Sequence, residues 1–357
     1  MQVLGILSGA VNVPHAVHIY RITMPIAYID KHTKHTGMWL SARSMALDLS
    51  EKEIATILKS DVIVLGRMIS DHPIEVGQYI EFLHRNGAKL VYETDDDLTE
   101  EYRDISNGDK KTCLPFTKNI GIDAFTVTTP YLAKQISKHS FGQPVFILPN
   151  CIETQYWAKV CDKYERKYTS TFNIMLVGTP THGSDWRFAH QAALRILDEY
   201  PHTRLLVGGY QPDYIGDDER IVRLPFMEYA QYPTMLAEAD VVIAAIDPDD
   251  PFNHSKSAVK AMEAWAAKRK LTKGYGGAAV IATNSVVYKD TIQHKRNGLL
   301  VENTVDGYYI ALKELIDNQV MREYIQRTGH NDVVQRHSIQ SQYTKWVSAY
   351  TQIRRLQ

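Results

Sequence analysis

Short apolar runs alternate with amphipathic segments along almost the whole of this 357-residue chain. The apolar runs have the length of buried strands, and the segments between them carry apolar residues at helical spacing. Parallel strands need long crossover connections, which are usually helices, so this alternation predicts an α/β fold with parallel sheets. The pattern therefore favours a doubly wound, Rossmann-like architecture over all-helical or all-strand folds.

The alternation runs through both halves, and the length is sufficient for two domains that each bury a core. In the first half, we predict strands at residues 3–8, 62–65, 89–92, 124–127 and 145–148, with the clearest helices at 74–86 and 130–138. In the second half, we predict strands at 173–177, 204–207, 221–224, 241–245, 279–282 and 299–301, and helices at 184–199, 232–239, 256–267, 305–317 and 320–335.

A domain boundary is expected after residue 152. The segment 149–153 and the charged stretch up to residue 171 have the composition of a linker. This predicts an N-terminal domain at 1–152 and a C-terminal domain at 153–337. Residues 338–357 form a further predicted helix whose apolar stripe would pack back on the first domain. Two such domains would direct the carboxyl ends of their strands towards a central cleft.

Composition narrows the functional classes. The 40 Lys and Arg residues nearly balance the 41 Asp and Glu residues, which excludes a chain-wide basic field for nucleic acid and leaves only a local patch. Cys113, Cys151 and Cys161 have no metal-ligand spacing and cannot all pair, as expected in a reducing compartment. The chain start lacks a basic signal-peptide region, and no apolar run is long enough for a membrane span. We therefore expect a cytoplasmic protein.

The segment 252–263 carries the most informative candidate site. It follows an apolar strand and is predicted to open a helix with two hydroxyls and Lys256, where free N–H groups and the helix dipole would bind a phosphate. Glu263 lies two turns further along and would reach a group such as a ribose. The alternative is an ordinary serine cap, with Lys256 and Lys260 on a solvated face. The candidate donor-binding residues in this segment are Asn253, Ser255, Lys256, Ser257 and Glu263.

A second candidate segment runs from Gly178 to Asp185, after the first strand of the second half. A glycine at such a turn lets a ligand approach the backbone closely. The segment is neither a dinucleotide fingerprint nor a P-loop. The alternative is a helix-entry turn capped by Ser184. The candidate contacts are Gly178, Thr179 and His182.

Asp95, Asp96 and Asp97 follow a predicted first-half strand. They suit polar substrate contact first, a cap by Asp97 or Thr99 second, and a divalent cation third. Arg21 and Arg67 suit phosphate or carboxylate binding, although isolated arginines are usually surface or ion-paired residues.

The segment 268–277 is basic and rich in glycine. It could contact nucleic acid or another anionic surface, but the neutral chain favours a solvated loop. The 14 histidines form no H-E-x-x-H spacing and no G-x-S-x-G elbow is present, so hydrolase functions lack support.

Several motifs in this order resemble those of one enzyme group. They are Tyr20-Arg21-Ile-Thr-Met-Pro25, Tyr92-Glu-Thr-Asp-Asp-Asp97, Thr126-Val-Thr-Thr-Pro-Tyr-Leu132, Leu148-Pro-Asn150, Gly178-Thr-Pro-Thr-His182 and Asn297-Gly-Leu-Leu-Val301. Over nearly its whole length, the chain resembles GT-B glycosyltransferases of the "glycosyl transferases group 1" superfamily, in a bacterial and phage branch. No single motif is very specific, but their order and spacing together are.

The resemblance implies a nucleotide-diphospho-sugar donor bound by the second domain, with retention of configuration and without metal or cofactor. Glu263 would hold the ribose hydroxyls, and the diphosphate would lie over Ser255 to Ser257. The base would lie near Phe226 and Met227. The transferred sugar would point towards the expected catalytic residues, which are Arg21, Arg67, Asp95, Asp96 and Asp97.

Two departures from the superfamily pattern matter. Ser255 stands eight positions before Glu263, where a second glutamate is usual, and Thr179 stands where a basic residue is usual. Lys256 would replace the missing charge. The implied acceptor is a saccharide, a lipid-linked glycan or a protein. The alternatives are a phage-type enzyme acting on modified DNA bases and a catalytically impaired nucleotide-sugar-binding protein. Two complete strand–helix series argue against a metal-dependent GT-A enzyme.

Overall fold

The computed structural model describes residues 1–7, 16–40, 49–66, 73–99, 102–103, 110–111, 116, 118–180 and 183–357. Arg67, Cys113 and His182 therefore lie outside the described residues. The chain divides into two compact units. The first comprises Met1–Asn150, Ser255–Ser257 and Ile339–Gln357, and the second comprises Cys151–His254 and Ala258–Ser338. Residues 255–257 thus group with the first unit, although they lie in the range that the sequence assigns to the C-terminal domain.

The first unit is built on a parallel six-stranded sheet. The strands of this sheet are β1 (Gln2–Ile6), β2 (Thr36–Leu40), β3 (Val62–Leu65), β4 (Lys89–Thr94), β7 (Ala124–Val127) and β8 (Val145–Ile147). Two short strands, β5 (Tyr102–Arg103) and β6 (Lys110–Lys111), lie outside it. The sheet order is β2-β1-β3-β4-β7-β8, and β5 pairs with β6 separately. Helical segments are Ala16–His18, the π-helical Ile19–Thr23, Met24–His32, Glu51–Leu58, Pro73–His84, Pro130–Ile136 and Ile339–Ile353.

The second unit repeats this plan. Its strands are β9 (Phe172–Gly178), β10 (Thr203–Gly209), β11 (Ile221–Leu224), β12 (Val241–Ala244), β13 (Arg269–Lys270), β14 (Tyr275–Gly276), β15 (Ala279–Thr283) and β16 (Leu299–Val301). The parallel sheet has the order β11-β10-β9-β12-β15-β16, and β13 and β14 form a hairpin. The helices are Thr154–Cys161, Arg187–Glu199, Tyr232–Ala237, Val259–Ala266, Val305–Asp317 and Gln319–Arg336, and the 3₁₀ segments are Asp213–Ile215 and Pro251–Ser255.

The predicted α/β class is confirmed, since both units have doubly wound parallel sheets. Several elements differ from prediction, and three of them bear on the fold. The edge strand Thr36–Leu40 was not predicted, because its residues are exposed or half-buried and only Met38 to Leu40 are apolar. The helix Thr154–Cys161 lies inside the predicted linker and buries Trp157 completely. The basic glycine-rich loop is the hairpin of β13 and β14.

Each sheet has its own core. In the first unit, Ile63, Leu90 and Phe125 lie in a continuous apolar cluster, and in the second unit Ile174 and Leu205 lie in another. Within the described ranges, no helix is both long enough and apolar enough to traverse a bilayer.

Candidate functional site

The carboxyl edge of the second sheet offers the first element of a site. Strand order reverses between β9 and β12, and in open α/β sheets ligands bind beside such a reversal. At this edge, Gly178 ends β9 and pairs with Gly209 at the end of β10. Gly209 has a φ of +77°, and a Cβ on it would lie 2.5 Å from the carbonyl oxygen of Gly178. A residue with a side chain would therefore be strained and would clash at this position.

The connection after β12 is fixed by a carboxylate from a neighbouring segment. Asp185, at the end of the glycine turn, accepts hydrogen bonds from the Asp247 N–H at 2.8 Å and from Asn253 Nδ2 at 3.1 Å. Asn253 also donates to the carbonyl of Asp247 at 3.1 Å and is only 3 % exposed. The predicted donor contact Asn253 thus holds the connection in shape, together with Asp185.

The helix that carries Glu263 begins later than predicted. It spans Val259–Ala266, and its N-cap is Ala258, which supplies no side-chain hydrogen bond. Lys256 therefore precedes the helix, so the prediction that the helix opens with the two hydroxyls and Lys256 is wrong. Ser184 is not a cap either, because the helix Arg187–Glu199 begins after Trp186.

The two serines of this segment bind groups of the first unit, to which they belong. Ser255 Oγ accepts a hydrogen bond from the Asp97 N–H at 3.2 Å. The Ser255 carbonyl accepts one from the Thr129 hydroxyl at 3.4 Å. Asn150 Nδ2 donates to Ser257 Oγ at 2.8 Å. Ser255 is completely buried. The predicted helix cap is therefore wrong, since these hydroxyls bind polar groups far along the chain. Their contact with a phosphate stays a prediction.

Glu263 lies in a compact polar cluster of the second unit. Its carboxylate accepts a hydrogen bond from the Tyr232 hydroxyl at 3.1 Å, and Lys260 Nζ lies 3.3 Å from the same oxygen, Oε2. Burial raises the pKa of Tyr232, which keeps the phenol neutral and able to donate. Burial opposes the charge of Lys260, but Glu263 and Tyr232 outweigh this and raise its pKa, so the amine is an ammonium. Lys260 is thus an ion-pair partner of Glu263 at the i, i+3 position.

The other predicted donor contacts follow strand ends of the same sheet. Gly178 is half-buried and Thr179 is exposed after β9. Phe226 is 72 % exposed after β11, and the neighbouring Met227 is half-buried. Their contact with a donor stays a prediction.

In the first unit, the three aspartates follow β4. Asp97 Oδ1 accepts hydrogen bonds from the Thr99 N–H at 3.1 Å and from Thr99 Oγ1 at 2.6 Å, which closes a turn. Asp95 and Asp96 are half-buried. Among the described residues, no group of three His, Cys, Asp or Glu side chains is placed to hold a metal ion. Substrate contact by these aspartates stays a prediction.

Arg21 lies in a buried ion pair with Glu93. Its Nε and Nη2 donate to the Glu93 carboxylate at 2.7 and 3.1 Å, and its Nη1 donates to the Leu148 carbonyl at 2.5 Å and to Asn150 Oδ1 at 3.1 Å. Trp346 covers the guanidinium at 4.9 Å. These contacts describe a structural ion pair and do not support direct substrate binding by Arg21, which stays a prediction.

Glu93, the partner of Arg21, was not among the predicted site residues. Burial raises the pKa of Glu93, and the Arg21 charge and hydrogen bonds oppose that rise. A glutamate inside the apolar strand β4 was the available signal, because a buried carboxylate needs a partner.

The basic hairpin is partly neutralised. Lys268 Nζ lies 2.7 Å from Asp162, and Arg269 pairs with Asp240. Lys270 and Lys273 are exposed. Two of its cations therefore hold the hairpin to its own unit.

Comparisons with known proteins identify the fold. No protein-family model matches the chain, and no curated protein matches its sequence. Sucrose-phosphate synthase from Thermosynechococcus elongatus is similar in structure, with a TM-score of 0.65, 13 % identity and 99 % of each chain covered. Anabaena HepE, in complex with UDP and glucose, gives a TM-score of 0.65 at 11 % identity, covering 99 % of this chain and 100 % of HepE.

A third similar structure is named as a different kind of enzyme. A putative UDP-N-acetylglucosamine 2-epimerase from Listeria monocytogenes gives a TM-score of 0.53 at 10 % identity, with 94 % of each chain covered. Together, these likenesses show that the chain has the GT-B fold. Because proteins named as a synthase and as a putative epimerase share it, the fold does not define the reaction.

Proposed function

We propose that this protein is a glycosyltransferase that takes a sugar from a nucleoside-diphospho-sugar. The observation that carries the proposal is the buried Glu263 carboxylate, on the helix that follows β12 at the reversal of the second sheet. A carboxylate there can accept hydrogen bonds from both ribose hydroxyls. The likeness to HepE, a structure that holds UDP and glucose, supports the same ligand class.

The diphosphate would bind at the start of the helix Val259–Ala266. No side-chain hydrogen bond caps this helix at Ala258, and we propose that N–H groups of its first turn bind the anion. The helix dipole would also stabilise the charge that develops on the leaving diphosphate, and we propose transfer with retention and without metal. The exposed ring of Phe226 would stack on the base.

The acceptor is proposed to be a saccharide, a lipid-linked glycan or a protein. A modified DNA base is less favoured, because the hairpin cations Lys268 and Arg269 already pair with carboxylates. Binding to duplex DNA that weakens steeply with salt would reverse this preference.

The proposal is tested by incubating the protein with a panel of UDP-, ADP- and GDP-sugars in the presence of a chelator. We expect release of the free nucleoside diphosphate, or transfer when acceptors are added. Binding without turnover against an acceptor panel would identify a nucleotide-sugar-binding protein. Conversion of UDP-N-acetylglucosamine to its 2-epimer, seen by NMR, would identify an epimerase.

The assignment of Glu263 needs a separate variant. Glu263→Gln should weaken nucleoside-diphosphate binding by about tenfold or more, because a charged acceptor contributes about 1.5–3 kcal/mol to a hydrogen bond. Glu219→Gln, at an exposed position of the same unit, is the matched control. Equal affinities for Glu263→Gln and wild type would remove Glu263 from the donor site.

A further inference from the structure

Lys260 and Tyr232 form a closed triangle with the Glu263 carboxylate. Lys260 Nζ donates to the Tyr232 hydroxyl at 3.2 Å, and that hydroxyl donates to Glu263 Oε2 at 3.1 Å. Lys260 Nζ also lies 3.3 Å from Oε2, and the two charged side chains are 19 % and 6 % exposed. Both donors thus meet Oε2 of the carboxylate at a largely dry position.

The tyrosine in this triangle is itself fixed. Trp157 is completely buried, and its ring meets the Tyr232 ring edge-on at 6.0 Å. The indole N–H donates to the Tyr229 hydroxyl at 2.9 Å, and Tyr229 packs edge-on against the same indole. Because its ring is packed in this way, Tyr232 can present its hydroxyl to Glu263 with little loss of conformational entropy on ligand binding.

A second consideration is the cost of a buried carboxylate. An ionised carboxyl group at this depth needs a partner of opposite charge, and Lys260 at the i, i+3 position is that partner. Without the ammonium, the Glu263 carboxylate would turn towards water, and this change would remove an acceptor of defined direction.

We propose that Lys260 and Tyr232 are positioning residues, which orient the Glu263 carboxylate for the ribose hydroxyls of the donor. This inference rests on the proposed function. Lys260 would affect recognition of the ribose by orienting Glu263. Its side chain would not contact the diphosphate.

The experiment compares each nucleotide with an analogue that lacks the ribose hydroxyls. Binding of UDP, ADP and GDP, and of their 2′,3′-dideoxy counterparts, is measured by calorimetry. We expect wild type to prefer at least one ribonucleotide by about tenfold or more, which corresponds to one charge-assisted hydrogen bond. Lys260→Met should lower this preference to below about threefold, and Lys260→Arg should keep most of it.

Tyr232→Phe provides a second variant in case Lys260→Met does not fold, and it should also reduce the preference. Lys273→Met, at an exposed position of the same unit, is the control and should leave the preference unchanged. A role for Lys260 in packing alone would change thermal stability and leave the ribose preference intact.

The outcomes separate the inference from the function on which it rests. If wild type binds none of the three diphosphates, the proposed function and the inference both fail. If wild type shows the preference and both Lys260→Met and Tyr232→Phe retain it, only the inference is overturned. If Lys260→Met lowers the affinity for nucleoside diphosphates and for their dideoxy counterparts equally, Lys260 contacts the diphosphate. That result would also overturn the inference.

Discussion

Replacing Arg21 by methionine would leave the Glu93 carboxylate buried without the cation that faces it. The two side chains are 1 % and 2 % exposed, and the guanidinium makes two hydrogen bonds to the carboxylate. Removing one partner of such a pair typically costs about 3–5 kcal/mol, because an uncompensated charge stays buried. Arg21→Met and Glu93→Gln should each destabilise the first unit by this amount.

The double variant distinguishes pairing from simple loss of packing. With both charges removed, no ion stays buried. The double variant Arg21→Met with Glu93→Gln should therefore lose less free energy of unfolding than the two single variants lose together, and the difference should be about 2 kcal/mol or more. The cost of Arg21→Met should also shrink from pH 7.5 to pH 5.5. Burial already raises the pKa of Glu93, and without Arg21 the carboxyl group can escape its charge by protonation.

The assay is hydrogen exchange in increasing urea, read on peptides from each unit. Peptides from β1 and β4 should lose protection in the variants, while peptides from β9 and β12 act as the internal reference. Arg195→Met is the control, because its pair with Asp306 is largely exposed, and it should behave like wild type. Two results would refute the account of a dry, paired charge. One is that the losses in free energy of unfolding of the single variants add up to that of the double variant, and the other is a loss below about 1 kcal/mol for Arg21→Met.

Three further predictions concern the second unit. Gly329→Ala should lower stability by about 1–3 kcal/mol in urea unfolding, since the added Cβ would lie 2.4 Å from the buried Trp265 ring; an increase in stability would contradict this packing. Burial lowers the pKa values of His190 and His330, so the unfolded chain takes up protons first as pH falls below about 6.5. Their contribution to stability is therefore present above that pH and lost below it. Between pH 7.5 and pH 5.5, the melting temperature should fall less for the His190→Gln and His330→Gln variants than for wild type. Phe226→Ala should leave the melting temperature unchanged, since the ring is largely exposed, and should weaken nucleoside-diphosphate binding by about tenfold if the ring stacks on a base; unchanged affinity would place the base elsewhere.

Local sequence patterns predicted the buried strands well. The strands Val62–Leu65, Ala124–Val127 and Leu299–Val301 have the predicted bounds, because each is a short run made mostly of apolar residues. The edge strand Thr36–Leu40 pairs only with β1, and its exposed side chains give no comparable signal.

The candidate site was predicted less well, because its contacts join residues that are far apart in the chain. Ser255 and Ser257 look like helix caps in sequence, but their partners are Asp97 and Asn150. No local pattern indicates contacts over such separations. The pairing of Lys260 with Glu263 was different, since its i, i+3 spacing is local and could have been recognised.

The discontinuous first unit has a consequence for synthesis of the chain. Its sheet comes from residues before Asn150, but the helix that places Trp346 over Arg21 belongs to Ile339–Gln357. About 190 residues of intervening chain leave the ribosome first, which takes about 10–40 s at ordinary elongation rates. During that interval, the half-made unit exposes the apolar surface that this helix will cover. The first unit can thus be completed only after the chain of the second unit has been synthesised.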